Sequence, residues 1–201
     1  MTAASAAASV LDAVVANDSA ALERALAAGE PVDERDDRGR TALLVAVWND
    51  NADAAGQLID AGADVNARDA IMDSPFLVAG AHGRVEILKL ILAHGADLAS
   101  TNRYGGTALI PAAEKGHPEA VQLLIAAGVD VNHVNDLGWT ALLEAVILTD
   151  GGPTPQQIVR ALLDAGADAD IPDGNGQTAL DHARANGFDA IAAMIEAHRR
   201  R

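Results

Sequence analysis

Four side chains in this sequence carry groups suited to acid–base chemistry or ligand capture: the carboxylates of Glu114 and Glu144, the imidazole of His82 and the phenol of Tyr104. A pair of carboxylates can share or pass a proton, and an imidazole titrates near neutrality, provided the fold brings them into one cleft. Their local sequence marks no known reaction. There is no phosphate loop G-x-x-x-x-G-K-[ST], no G-x-G-x-x-G after a strand, no H-E-x-x-H and no G-x-S-x-G. The six histidines are scattered, and His94, His117, His133 and His182 show no spacing that would pair them on a metal. The run Asp168, Asp170, Asp173, Asn175 has the flavour of a calcium loop, but Pro172 and Thr178 stand where such a loop needs a ligand and a glycine. It reads as a connecting hairpin. The expectation is therefore no catalytic site, no metal and no cofactor.

Composition narrows the setting. Half of the 201 residues are hydrophobic while only 2% are aromatic, which calls for an aliphatic, alanine-rich core of closely packed helices. A net charge of −15 is unsuited to nucleic acid, whose phosphates need Lys and Arg. The tail His198-Arg199-Arg200-Arg201 reads as a cationic helix end complementing the dipole. Cysteine is absent, so disulfides and thiolate metal sites are excluded. The N-terminal stretch lacks a positive leader and is interrupted by Asp12, and no apolar run is long enough to span a bilayer. A cytoplasmic monomer without membrane or nucleic-acid partners is the expectation.

The elements that must position any site are set by a repeat. The hydroxyl residues Thr41, Ser74, Thr107 and Thr140 follow one another at 33-residue steps, as do Gly29, Gly62, Gly95 and Gly128. Thr178 and Gly166 then come 38 residues after their predecessors, so five extra residues lie within Thr149-Asp150-Gly151-Gly152-Pro153-Thr154-Pro155. In each unit the hydroxyl is expected to cap a first helix whose Leu43, Phe76, Leu109, Leu142 or Leu180 points inward. A turn such as Lys115-Gly116-His117-Pro118 leads to a second helix ending at a left-handed glycine. A polar hairpin then joins the next unit.

This pattern resembles the ankyrin repeat, whose signature is T-P-L-H-x-A. The resemblance covers nearly the whole chain, with departures. Proline follows the hydroxyl only at Pro75, and Leu44, Leu77, Ile110, Leu143 and Asp181 replace the signature histidine, so apolar contact must take the place of its hydrogen bonds. The implied fold is all-α, an ankyrin-repeat solenoid of about six helix-turn-helix units with short β-hairpin loops. Its single domain, 1–201, divides into an N-terminal cap at 3–35, repeats at 36–68, 69–101, 102–134 and 135–172, and a C-terminal cap at 173–201. Polar Asp181 and Glu196 stand in that last unit where earlier ones are apolar, which reads as the closing face of a complete array.

The resemblance further implies a concave surface, built from hairpin tips and first helices, on which another protein docks. The first helices offer Trp48 and Asn49, His82, Glu114 and Lys115, and Glu144. The tips offer Arg38 and Arg40, Arg103 and Tyr104, and Asp136 and Trp139. Every Trp and Tyr of the chain falls on this surface, and such residues with Arg dominate binding hot spots. The expected function is a protein-interaction module; the alternative is a small-ligand binder or atypical enzyme using Glu114 and Glu144. Three irregularities adjoin the surface: Met72 where other tips have glycine, Pro111 inside a first helix, and the insert, expected to form a longer finger.

Overall fold

The computed structural model describes residues 8–200; residues 3–7 of the N-terminal unit and Arg201 of the basic tail lie outside them. Twelve helices among the described residues form six antiparallel pairs: α1 (Val10–Val15) with α2 (Ser19–Ala27), α3 (Ala42–Trp48) with α4 (Ala52–Asp60), α5 (Pro75–Ala81) with α6 (Val85–Ala93), α7 (Leu109–Glu114) with α8 (Pro118–Ala127), α9 (Ala141–Ile147) with α10 (Pro153–Asp164), and α11 (Ala179–Ala185) with α12 (Asp189–Arg199). First helices stack on first helices and second on second, giving an all-α solenoid.

The first helices are only six or seven residues long, too short to persist alone. Burial on nearly all sides holds them: Ala42 through Val47 of α3 and Ala141 through Val146 of α9 are all buried. The core is aliphatic, and Phe76 is its largest fully buried side chain. Leu44, Leu77, Ile110 and Leu143, standing for the signature histidine, are buried too, so apolar contact fills those places.

Thr41, Ser74, Thr140 and Thr178 each accept the N–H three residues on, at 3.2–3.3 Å. Thr107 does not, contrary to expectation. Pro111 has no N–H to give to the Thr107 carbonyl, so that carbonyl takes the Ile110 N–H instead, at 3.3 Å. This is the donor a capping hydroxyl would use, and Thr107 Oγ1 is left buried without a partner.

The tips share one construction that the hydroxyl spacing does not reveal. Asp36, Asp69, Asn102, Asn135 and Asp173 each accept, through the side chain, the N–H groups two and four residues on. Each also donates its own N–H to the carbonyl four residues on. These are Asx-type turns rather than strand ladders; among the described residues the single bridge pairs Arg35 with Thr41. Adjacent units are tied by side chains: Asn66 donates to the Gly95 carbonyl at 3.0 Å and accepts the Asp97 N–H at 2.8 Å.

Four of the five tips place glycine at the left-handed position, and Met72 holds it with φ +69°. The turn keeps its shape and carries the strain of an L side chain there. Met72→Gly is expected to raise stability by about 1 kcal/mol, read as a melting temperature higher by roughly 2–4 °C; an unchanged or lower value would show the turn relaxed around Met72.

The insert differs from the expected finger. Pro153, Thr154 and Pro155 open α10, which runs twelve residues, and Pro155 is buried. The remaining loop folds down on the last unit, with Gly151 (φ +68°) lying so close to the Phe188 ring that a Cβ there would meet Cδ1 at 2.4 Å. Proline suits the first turn of a helix, where its missing N–H is not needed.

Candidate binding groove

Three depressions run side by side along the tips and first helices. The first lies between Arg38, Trp48 and Ile71. The second, about 260 Å³, is bounded by Trp48, His82, Arg103, Tyr104, Glu114 and Lys115. The third is bounded by Tyr104, Glu114, Leu137, Trp139, Glu144 and Leu148. Trp48 lines both the first and the second, and Tyr104 with Glu114 lines both the second and the third, so the three adjoin one another.

Trp48 (38% exposed) meets the His82 ring edge-to-face, centroids 4.7 Å apart. Tyr104 (52% exposed) lies under the Arg103 guanidinium at 4.8 Å. Trp139 is half-buried and packs partly against the core. Arg38 is exposed, whereas Arg40 is held to Asp36 at 2.7 Å and serves its own tip. Asn49 and Asp136, both exposed, line none of the three depressions. Asp136 instead covers Gly105, and its N–H donates to the Tyr104 carbonyl at 2.9 Å.

Burial, with Lys115, Arg84 and His117 nearby, holds the His82 imidazole below its usual pKa, so it is neutral at pH 7. Glu144 goes the other way. It is 5% exposed, and its Oε1 accepts from Asn135 Nδ2 at 3.0 Å. Burial and the charge of Glu114 push its pKa up to about 7. Asn135 escaped the sequence reading, although its place in the 33-residue ladder of Asx residues was there to be found. The same geometry recurs one unit on, where His182 Nε2 meets Asp173 Oδ2 at 2.9 Å.

The other histidines serve locally. His117 covers Gly83, where a Cβ would meet Nδ1 at 2.6 Å. His133 Nε2 lies 2.6 Å from the Gly105 carbonyl, and His94 Nδ1 lies 2.7 Å from that of Leu90. Asp168 and Asp173 spend carboxylate oxygens on turn N–H groups. Among the described residues, no three His, Asp or Glu side chains gather as metal ligands, and no helix is long and apolar enough to cross a membrane.

Stacked helix pairs joined by extended tips define a helical-repeat solenoid. The family of "Ankyrin repeats (3 copies)" matches residues 76–171 and 112–199, and the single "Ankyrin repeat" matches residues 38–70. The chain belongs to the ankyrin-repeat family. It is similar to the crystal structure of an ankyrin repeat domain (ABAYE2397) from Acinetobacter baumannii AYE, with 55% identity over 93% of this chain and 95% of that one and a TM-score of 0.90. It is also similar to EF0377, an ankyrin repeat protein, at 44% identity over 96% and 98% of the two chains, with a TM-score of 0.92. A segment of 52 residues is 44% identical to the Escherichia coli (strain K12) "Putative ankyrin repeat protein YahD", covering 26% of this chain and 26% of that protein. Ankyrin repeats are generally protein–protein interaction modules without enzymatic activity.

Proposed function

We propose that this chain is a protein-interaction module that grips a partner along the concave groove, with Trp48 and Tyr104 as anchors. The observation that carries this reading is the exposure of those two rings beside adjoining depressions, in a protein whose core takes almost no aromatics. Large rings bury much area with few rotamers to freeze, and a rigid stack adds little ordering cost on binding. Exposed Ile71 and Leu137 at the tips add apolar area at the rim. The small-ligand or enzymatic alternative draws support from the raised Glu144, but the depressions are open and shallow rather than one enclosed cleft.

Photo-crosslinking residues placed at Ile71 or Leu137 are expected to trap one shared partner in the native cell, and one at Gln122, exposed on the second helix α8, to trap none. Trp48→Ala and Tyr104→Ala should each reduce that cross-linking about tenfold or more, as hot-spot truncations do, with little change in melting temperature. Equal labelling from Gln122, or unfolding of both aromatic variants, would refute the groove as the docking site.

A further inference from the structure

The third depression, between α7 and α9, differs from its neighbours in sign. The second holds Arg103 and Lys115 against Asp73 and Glu114, so neither charge prevails. The third has Glu114 and Glu144 in its wall and no Lys, Arg or His. Neither carboxylate forms an ion pair among the described residues. Glu144 is nineteen-twentieths buried, lines the depression, and has its one hydrogen bond at Oε1 from Asn135.

A buried carboxylate without a cation opposes folding. The stack does not require one there, because the same place in the three preceding units holds Val45, Val78 and Pro111. In the next unit that place holds His182, which has Asp173 as its counter-group. The α9 position alone combines a buried acid with an open approach and no opposite charge.

We propose that this depression receives the cationic end of a Lys or Arg side chain presented by the partner, so that the docking segment is basic. This rests on the groove being the docking surface. Glu114 and Glu144 supply charge from two adjacent first helices, and Trp139 supplies a ring wall that attracts cations, while the Tyr104 ring already carries Arg103 and adds apolar wall. Leu137 and Leu148 cover the methylene stem that such a side chain carries behind its charge. The cavity is about 200 Å³, below the roughly 300–1,000 Å³ of sites for small molecules and suited to one side chain. The net charge of −15 draws a basic segment towards the groove from solution.

The probe is Nα-acetyl-lysine N-methylamide, titrated into ¹⁵N-labelled full chain at pH 8, with the norleucine analogue as uncharged control. The Trp139 indole N–H signal is expected to shift saturably with the lysine amide and not with the norleucine amide, while the Trp48 indole stays put. Glu144→Gln, in which Asn135 keeps an acceptor, should weaken the lysine amide about tenfold or more with an otherwise native spectrum. Glu114→Gln should weaken it less. Lowering the pH to 6 should weaken it in the wild type, because a proton competes for Glu144 with Glu114 as the facing charge, and should leave Glu144→Gln unmoved. Equal response to both amides, or undiminished binding in Glu144→Gln, would overturn the proposal. A partner cross-linked at Leu137 while the lysine amide leaves Trp139 unmoved removes the basic anchor but not the docking reading. Lysine binding with no cross-linked partner removes the docking reading and, with it, the assignment to a partner's side chain.

Discussion

Phe76→Ala is expected to lower stability by about 3–5 kcal/mol, the largest loss from any single truncation in the chain. Phe76 is fully buried in α5, a helix that packs against both α3 and α7, so its removal opens a cavity in the interior of the stack. In a stack each unit is stabilised mainly by its neighbours. The lost energy should therefore fall on the α5–α6 unit and its two interfaces rather than spread evenly. Urea unfolding should show a lower midpoint, and hydrogen exchange should show protection falling first in α5 and α6. A loss under about 1 kcal/mol would mean that the neighbouring side chains collapse into the space.

Glu144→Gln is expected to stabilise the protein at high pH by about 3 kcal/mol and to change little at pH 4. The carboxyl ordinarily titrates near 4.5 and is raised to about 7 in the fold. The folded state therefore holds its proton more tightly than the unfolded chain, and stability is full below 4.5. It is lost as the pH climbs towards and through 7, by about 1.4 kcal/mol for each unit separating the two values. The substituted amide carries no charge to bury and keeps the Asn135 hydrogen bond, so the variant should lack this loss. Urea midpoints at pH 4.5 and 8.5, wild type against variant, measure it. Equal pH dependence in the two proteins would place the titration elsewhere. A natural chain that keeps such a residue sacrifices stability at a position where its own repeat uses Val45 or Val78, as functional positions often do.

The stack itself was legible because its determinants repeat. A capping hydroxyl, a buried leucine and a left-handed glycine recur in phase, and local hydrogen bonding turns each recurrence into the same element. What escaped depends on one residue acting through another. Pro111 was visible as a missing donor, but the redirected Ile110 N–H and the orphaned Thr107 hydroxyl follow only once the carbonyl's alternative is seen. The insert read as a projection because its Gly and Pro content signals loops, whereas its prolines fit the opening turn of α10 and its glycine lets Phe188 close over it. Of the groove residues, Trp48 and Tyr104 were readable from phase alone. The half-burial of Trp139, which packs partly against the core, and the tie between Arg40 and Asp36, which closes within a single tip, were not, since both depend on side-chain packing that phase does not fix.

The tips also meet one another unevenly. Ala70 N–H donates to the Arg38 carbonyl and Asp136 N–H to that of Tyr104, each at 2.9 Å, joining the first four of the five tips two by two. No such bond links Ile71 with Arg103 among the described residues. The front wall is thus two double panels and a single last tip, with one unstitched join beside the Met72 turn and another before the Asp173 tip. At these joins the wall can spread without breaking a backbone hydrogen bond between tips and without either panel coming apart.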